Sequence, residues 1–183
     1  MNLREGPLEQ SFPPEAIQEA TVLKVKNVVE DILGTSFDQN APPEAARFQG
    51  RLSTDPGKVD KKLSWRDFYC LCDTLSGVLK PKLEEKGLGA EIINVPDKKS
   101  EIILHSYVVV QESDIEVLVD PSIGQFIRNH THVFVGTREQ LRQLILGMKD
   151  RRSPYSFTFS HLRSNLERSF ENLWGSKSKP IAI

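Results

Sequence analysis

The first half of the chain contains one clear helical pattern and one long polar segment. The apolar and small side chains that recur at helical spacing are Ile17, Thr21, Val25, Val28 and Ile32. Pro14 precedes this stripe and Gly34 follows it, so the pattern predicts a helix over about 14–33. Residues 34–63 are rich in Pro, Gly, Asp and Ser. They predict a long surface connection with one short helical turn at 43–48, and connections of this length are often functional.

A second helical region is predicted from about 65 to 86. Ser64 and Asp67 have the spacing of a capping box at its start, and Gly87 ends it. Pro81 lies inside the region and is expected to kink or interrupt the helix, because proline removes a backbone donor.

Strand-like runs rich in Val and Ile follow, and two helices come after them. The predicted strands are AEIINV (90–95), IILHSYVVV (102–110), EVLVD (116–120) and HVFV (132–135). Thr137 is expected to cap a helix over about 138–149, and a last helix is predicted over about 160–174. The order of helices, consecutive strands and helices indicates an α+β fold with an antiparallel sheet. We expect one domain over 13–175, a flexible N-terminus over 1–12 and a flexible tail over 176–183.

Composition excludes several classes of protein. Of the 183 residues, 24 are Lys or Arg and 25 are Asp or Glu, whereas a general nucleic-acid binder would be strongly basic. No apolar run approaches the roughly 20 residues of a membrane span. The N-terminus lacks an apolar signal core. We therefore expect no nucleic-acid partner and no membrane association. The expected location is the cytoplasm, or a host cell reached by a secretion route that needs no signal peptide.

A histidine and an aspartate are predicted to meet across a hairpin. If residues 111–114 form a four-residue loop, Val110 lies opposite Ile115, and the same register puts His105 opposite Asp120. A carboxylate beside an imidazole can hold one ring nitrogen and leave the other free for proton transfer. The alternative is a strand-edge histidine followed by a turn-forming Asp-Pro.

Cys72 is the candidate nucleophile, and Cys70 is its competitor. A cysteine, a histidine and an orienting acid are the parts of a thiol acyl-transfer site. An isolated free cysteine is more often a small buried apolar residue, so the other two groups carry the functional interpretation.

Three segments resemble transglutaminase-like and papain-like thiol enzymes: CDTLSGVLKPKLEEKGLGAEIINV, HSYVVV and VLVDPSIGQF. The resemblance covers about residues 65–127. It implies a nucleophile helix packed on an antiparallel sheet, with Cys72 as nucleophile, His105 as general base and Asp120 as the residue that orients it. Cys72 is preferred to Cys70 because its distance from the Gly87 turn suits the helix of that superfamily.

The sequence departs from the resemblance in three respects, one of which is Pro81 inside the predicted helix. The capping signal at Ser64 would put Cys72 in the second or third turn of the helix. No Gly-Gln pair precedes Cys72, so the second oxyanion donor stays open, with Trp65 and the Cys72 backbone N–H as candidates. Gln125 is a further candidate for binding or catalysis, or else it bonds loop backbone.

The resemblance implies a cofactor-free enzyme that acts on protein amide bonds through a thioester. The DPSIGQF ending is similar to bacterial effector domains that deamidate glutamine, which favours deamidation. The alternatives are a cysteine peptidase, a transglutaminase-type acyltransferase, or a non-catalytic protein-interaction domain that keeps the fold. His130 and His132 form a candidate metal pair without an evident third ligand, so no metal is expected.

Overall fold

The computed structural model describes residues 13–35, 42–96, 102–112, 114–148, 150 and 152–175. The predicted flexible ends, 1–12 and 176–183, lie outside these residues. The helices are α1 (Pro14–Gly34), α2 (Pro43–Ala46), α3 (Cys72–Glu85), α4 (Arg138–Gly147), α5 (Ser160–Arg163) and α6 (Leu166–Leu173). The strands are β1 (Gly89–Pro96), β2 (Ile103–Glu112), β3 (Ile115–Asp120), β4 (Ile127–Arg128), β5 (Phe134–Gly136) and β6 (Ser156–Phe157). Two 3₁₀ helices cover Trp65–Phe68 and Ile123–Gln125.

Helices and an antiparallel sheet make this an α+β fold, as predicted. The main sheet has the order β1-β2-β3-β5, and β4 pairs with β6 in a small second sheet that the pattern did not predict. Buried side chains cover both faces of the main sheet. Val108, Val110, Val117 and Val119 pack toward α1 and α3, whereas Tyr107, Val109 and Leu118 pack toward α4, α5 and α6. The sheet is therefore the middle layer between two groups of helices.

The helix predicted over 65–86 is wrong at its start. The Ser64–Asp67 pair caps only the 3₁₀ turn Trp65–Phe68, and Ser64 N–H donates to Asp67 Oδ2 over 2.7 Å. Cys70 then takes a left-handed φ of 58°, which ends the helical path. The α-helix begins at Cys72, so this residue is in the first turn and not in the second or third.

Pro81 does not interrupt α3, which continues to Glu85. A proline removes the bond to the carbonyl four residues earlier, which here belongs to Gly77. Both residues lie on the exposed side of the helix. Water can satisfy that carbonyl, which explains why the helix continues. The helix predicted over 160–174 is instead divided into α5 and α6, because Asn165 caps α6 by accepting a bond from Arg168 N–H.

The predicted register of the β2–β3 hairpin is wrong by two residues. Glu112 pairs with Ile115, and Val110 pairs with Val117 rather than with Ile115. The strands run further toward the turn than the pattern suggested, and Asp114 in the short connection has a left-handed φ of 64°. A shift of two residues keeps every side chain on its predicted face. His105 and Asp120 therefore still share a face, as diagonal neighbours rather than as a directly opposed pair.

In the part of the chain that the structure describes, no helix combines the length and the apolar character needed to cross a bilayer.

Candidate active site

Cys72 lies buried at the N-terminus of α3, beside the first residues of strand β2. The first backbone N–H groups of a helix have no partner within the helix, and their dipoles favour negative charge. Ser76, one turn further on, donates its hydroxyl to the Ser106 carbonyl over 3.2 Å and ties the helix to β2. This contact fixes Cys72 beside His105, the residue before Ser106.

His105 and Asp120 form a fully buried hydrogen-bonded pair. His105 Nε2–H donates to Asp120 Oδ2 over 2.7 Å, and neither side chain is exposed to solvent. The predicted contact is thus confirmed, although the predicted register is not. The bond leaves His105 Nδ1 directed away from Asp120, toward Cys72 and Gln125.

Two further donors hold the Asp120 carboxylate. The indole Nε1–H of Trp174 donates to Oδ2 over 2.7 Å, and the backbone N–H of Ser122 donates to Oδ1 over 3.0 Å. Trp174 was not among the site residues predicted from the sequence. The spacing could have indicated it, because Trp174 follows Phe170 by four residues and a buried tryptophan usually needs a partner for its N–H. The carboxylate is therefore fixed from the C-terminal helix as well as from the sheet.

The imidazole of His105 is enclosed by aromatic rings. Phe126 packs edge-on against it at 4.8 Å between ring centroids, and Trp174 packs edge-on at 5.6 Å. Burial alone would lower the pKa of His105, but the charge and hydrogen bond of Asp120 and the contact with Cys72 raise it to about 9. The ring is consequently protonated at neutral pH.

The Cys72 thiol shows the complementary shift. Burial raises its pKa, but hydrogen bonds with the side chains of His105 and Gln125, the charge on His105 and the Ser106 backbone outweigh that effect and lower the pKa. A lowered pKa increases the thiolate fraction, and the thiolate is the reactive form of cysteine. The opposite shifts of the two pKa values both favour the ion pair of a protonated His105 and a Cys72 thiolate.

Gln125 lies within this site. Its side chain is buried, and its amide nitrogen is 3.2 Å from His105 Nδ1. The 3₁₀ turn that carries it is packed closely at Gly124, where an added Cβ would lie 2.8 Å from the His130 carbonyl oxygen and 3.0 Å from the Phe68 ring. Gly124 is thus required for the approach that sets Gln125 beside the histidine.

A cavity of about 490 Å³ opens beside Cys72 and Gln125. Cys70 also lines it, but its thiol is exposed, whereas that of Cys72 is buried. Trp65, the other oxyanion candidate, is not among the described residues that line the cavity. It packs edge-on against Phe159, which does line it, at 6.3 Å between ring centroids. Gln125 therefore lines the cavity, whereas Trp65 contacts one of the lining residues from outside it.

His130 and His132 come together away from this site. Their rings stack at 3.7 Å between centroids, and neither ring nitrogen of His130 has a hydrogen-bond partner in the part of the chain that the structure describes. Burial lowers the pKa of His130 well below its ordinary value, and burial with nearby Lys26 lowers that of His132 to about 4. Across the described ranges, no group of three or more His, Cys, Asp or Glu side chains could hold a metal ion.

Comparisons with family models, with curated proteins and with solved structures found no match to this chain.

Proposed function

We propose that the chain is a cofactor-free thiol enzyme that acts on protein amide bonds through a thioester, and that its reaction is glutamine deamidation. One observation carries the proposal. His105 contacts Asp120 through Nε2 and faces the Cys72 thiol with its other nitrogen, and the pKa values of the thiol and the ring shift in opposite directions. A thiol acyl-transfer site needs this arrangement.

In the first half of the proposed reaction, the Cys72 thiolate attacks the carboxamide carbon of the substrate and forms a C–S bond. The carbonyl electron pair moves to oxygen and gives a tetrahedral intermediate. When the intermediate collapses, the C–N bond breaks and His105 gives its Nδ1 proton to the nitrogen, which leaves as ammonia. The product of this half is a thioester on Cys72 and a neutral imidazole.

In the second half, His105 removes a proton from water, and the resulting hydroxide attacks the thioester carbon. The C–S bond breaks, the thiolate is restored and glutamate is released. Asp120 keeps Nε2 protonated throughout, so that Nδ1 is the nitrogen that exchanges the proton. Peptide cleavage or transfer to an amine would use the same steps with a different leaving group or acceptor.

Two N–H groups are suited to stabilise the oxyanion. The backbone N–H of Cys72 is at the start of α3, and the side-chain amide nitrogen of Gln125 is 3.2 Å from His105 Nδ1 and lines the same cavity as Cys72. Donors aimed at developing negative charge commonly account for about 10²–10³-fold in turnover. Gln125 therefore fills the role that the sequence left open.

The choice of glutamine over a peptide bond follows from the resemblance of VLVDPSIGQF to effector deamidases. The test is mass spectrometry of glutamine-containing proteins after incubation with the wild type, with Cys72→Ala and with Cys70→Ser. A gain of about one mass unit that requires Cys72 supports deamidation. A cut chain would indicate a peptidase, and a mass gain equal to the mass of the acceptor amine minus that of the released ammonia would indicate transamidation.

A second measurement separates an enzyme from a non-catalytic interaction domain. The rate of Cys72 alkylation by iodoacetamide is followed against pH. An enzyme should react well below the ordinary thiol pKa, because His105 stabilises the thiolate. Ordinary thiol behaviour would contradict the proposal, and His105→Ala supplies the matched reference for an unassisted thiol.

A further inference from the structure

The cavity beside Cys72 has an apolar floor that the catalytic residues do not explain. Phe159, Leu162 and Leu173 form this floor with Phe126. The first three lie outside residues 65–127, the segment that resembles thiol enzymes, and belong to α5, α6 and the residue before α5. The floor is thus a feature of this chain's C-terminal part.

The floor continues into an exposed apolar rim. Among the described residues, the large hydrophobic side chains that remain exposed are Ile17, Leu23, Tyr69, Ile102, Ile103 and Leu104. Tyr69, Ile103 and Leu104 line the cavity, with 57%, 43% and 45% exposure, and Ile102 is adjacent in sequence. Exposed apolar side chains that cluster in this way mark an interaction site rather than ordinary surface.

The size of the cavity sets what can fill it. A volume of about 490 Å³ lies in the roughly 300–1,000 Å³ range of sites that enclose a drug-sized ligand. One carboxamide group occupies only a small part of this space. The remainder is bounded by the apolar floor and rim, and the nucleophile is in the same cavity, so the substrate itself must supply an apolar group.

We propose that the substrate is a polypeptide with a large apolar side chain next to the reacting amide, and that the floor and rim select for it. This inference rests on the proposed thiol chemistry. Asp73 and Asn172 are exposed at the mouth and offer polar groups for a peptide backbone. A simple acyl chain would leave these polar groups unused.

The test uses iodoacetyl amides that share one electrophile and differ only in the attached group. Iodoacetyl-glycinamide, iodoacetyl-leucinamide and N-hexyl-iodoacetamide each alkylate Cys72 when the thiolate displaces iodide and a C–S bond forms. All proteins carry Cys70→Ser, so that one thiol reacts. We expect leucinamide to react about tenfold faster than glycinamide, the scale of burying one Leu side chain.

Variants of the rim and floor should reduce this ratio, which is taken within each variant so that any general change in Cys72 reactivity cancels. Leu104→Ser is the rim variant, and because Leu104 is already exposed, the fold should tolerate the change. Phe159→Ala is the floor variant. Leu23→Ser is the matched control, since Leu23 is 57% exposed on α1 and does not line the cavity. The control should keep the wild-type ratio.

The outcomes distinguish the two proposals. Fast glycinamide alkylation with equal rates for leucinamide would overturn the apolar selection and leave the thiol chemistry in place. Slow alkylation by all three reagents would instead contradict the thiol enzyme. If N-hexyl-iodoacetamide reacts faster than leucinamide, the occupant is an alkyl chain and the polypeptide assignment is wrong.

Discussion

Two histidines of this protein are almost equally buried but titrate in opposite directions. His105 is 0% exposed and has its pKa raised to about 9, whereas His130 is 3% exposed and has its pKa well below the ordinary value. Burial disfavours the charged form of both rings. The difference is the partner: Asp120 bonds to His105 at 2.7 Å, whereas neither ring nitrogen of His130 has a hydrogen-bond partner among the described residues, and its ring stacks on that of His132.

The comparison shows that burial alone does not predict what a histidine does. At His105 a buried carboxylate stabilises a positive charge on the ring. At His130 the same degree of burial keeps the ring neutral and leaves polar atoms unsatisfied, a cost normally of about 1–3 kcal/mol per group. The same degree of burial thus accompanies a raised pKa at His105 and a lowered pKa at His130.

The largest effect should come from removing the thiol. Cys72→Ser should abolish turnover, because a serine hydroxyl stays protonated where a thiolate forms, while the His105–Asp120 bond remains. Steady-state rates and thermal melts measure the two effects. Cys70→Ser is the matched control and should lose far less. If Cys70→Ser is inactive and Cys72→Ser is active, the nucleophile has been misassigned.

The next prediction concerns Asp120→Asn, which removes the charged partner that distinguishes His105 from His130. Asp120→Asn should lower turnover by about 10²–10⁴-fold, because the amide no longer holds the correct tautomer or stabilises the imidazolium. The pKa of His105 should fall, since burial then acts without a compensating charge. Asp120 is fully buried and accepts hydrogen bonds from His105, Trp174 and the Ser122 backbone, so stability should also fall, by roughly 2–4 kcal/mol.

NMR titration of the histidine rings, together with rates and melts, tests this change. His105→Ala should lose at least as much activity. Full activity in Asp120→Asn with an unchanged His105 pKa would mean that Asp120 is only a turn residue.

A smaller effect is expected from Trp174, which donates a hydrogen bond to the carboxylate of the His105–Asp120 pair. Trp174→Phe removes the indole N–H bonded to Asp120 Oδ2 but keeps an aromatic ring against His105. We expect roughly a 3–10-fold loss of turnover and about 1–2 kcal/mol of stability, the scale of one hydrogen bond to a charged group. A change in the pH–rate profile would separate this positioning role from simple loss of packing. Phe170→Leu, on the same helix but without a bond to Asp120, is the control.

The smallest effect concerns stability against pH. The pKa of His105 is higher in the folded chain, about 9, than the ordinary value of about 6.5 expected in the unfolded chain. The protonated ring therefore stabilises the fold fully below pH 6.5, and this contribution is lost as the pH rises through about 9. The lowered pKa values of His130 and His132 reduce stability on the acid side instead. The unfolded chain binds protons that folded His130 and His132 do not, so stability falls as pH drops below about 6.5, with the loss from His132 continuing to about 4.

His130→Phe should therefore reduce the loss in acid and leave the loss in alkali unchanged. At pH 7 the change in stability should be within about 1 kcal/mol, because the variant removes unsatisfied nitrogens but adds volume. Thermal melts from pH 4 to 10 measure both windows. An unaltered acid limb would show that the histidine pair does not limit stability there.

Much of the fold could be predicted from local patterns. The stripe from Ile17 to Ile32 gave α1 within one residue, and the Val-rich runs gave β1, β2 and β3. The exact hairpin register could not be predicted, because it depends on where the strands stop, and that was decided by the left-handed Asp114. The contact between His105 and Asp120 was nevertheless found, since an error of two residues preserves the face of a strand.

The candidate site was predictable where its residues lie on regular elements and was missed where they come from tertiary packing. Cys70 adopts a left-handed conformation that no propensity of cysteine suggests, and this turn sets Cys72 at the start of α3. The Trp174 bond spans 54 residues of sequence, and nothing in the local pattern of α6 specifies a carboxylate partner.

That long-range bond has a consequence during protein synthesis. The ribosome adds Cys72, His105 and Asp120 well before Trp174, so a growing chain contains the three proposed reactive residues without the indole that holds the carboxylate. The apolar floor residues Phe159, Leu162 and Leu173 are also made late. The proposed enzyme can therefore complete its active site only after translation has passed residue 174.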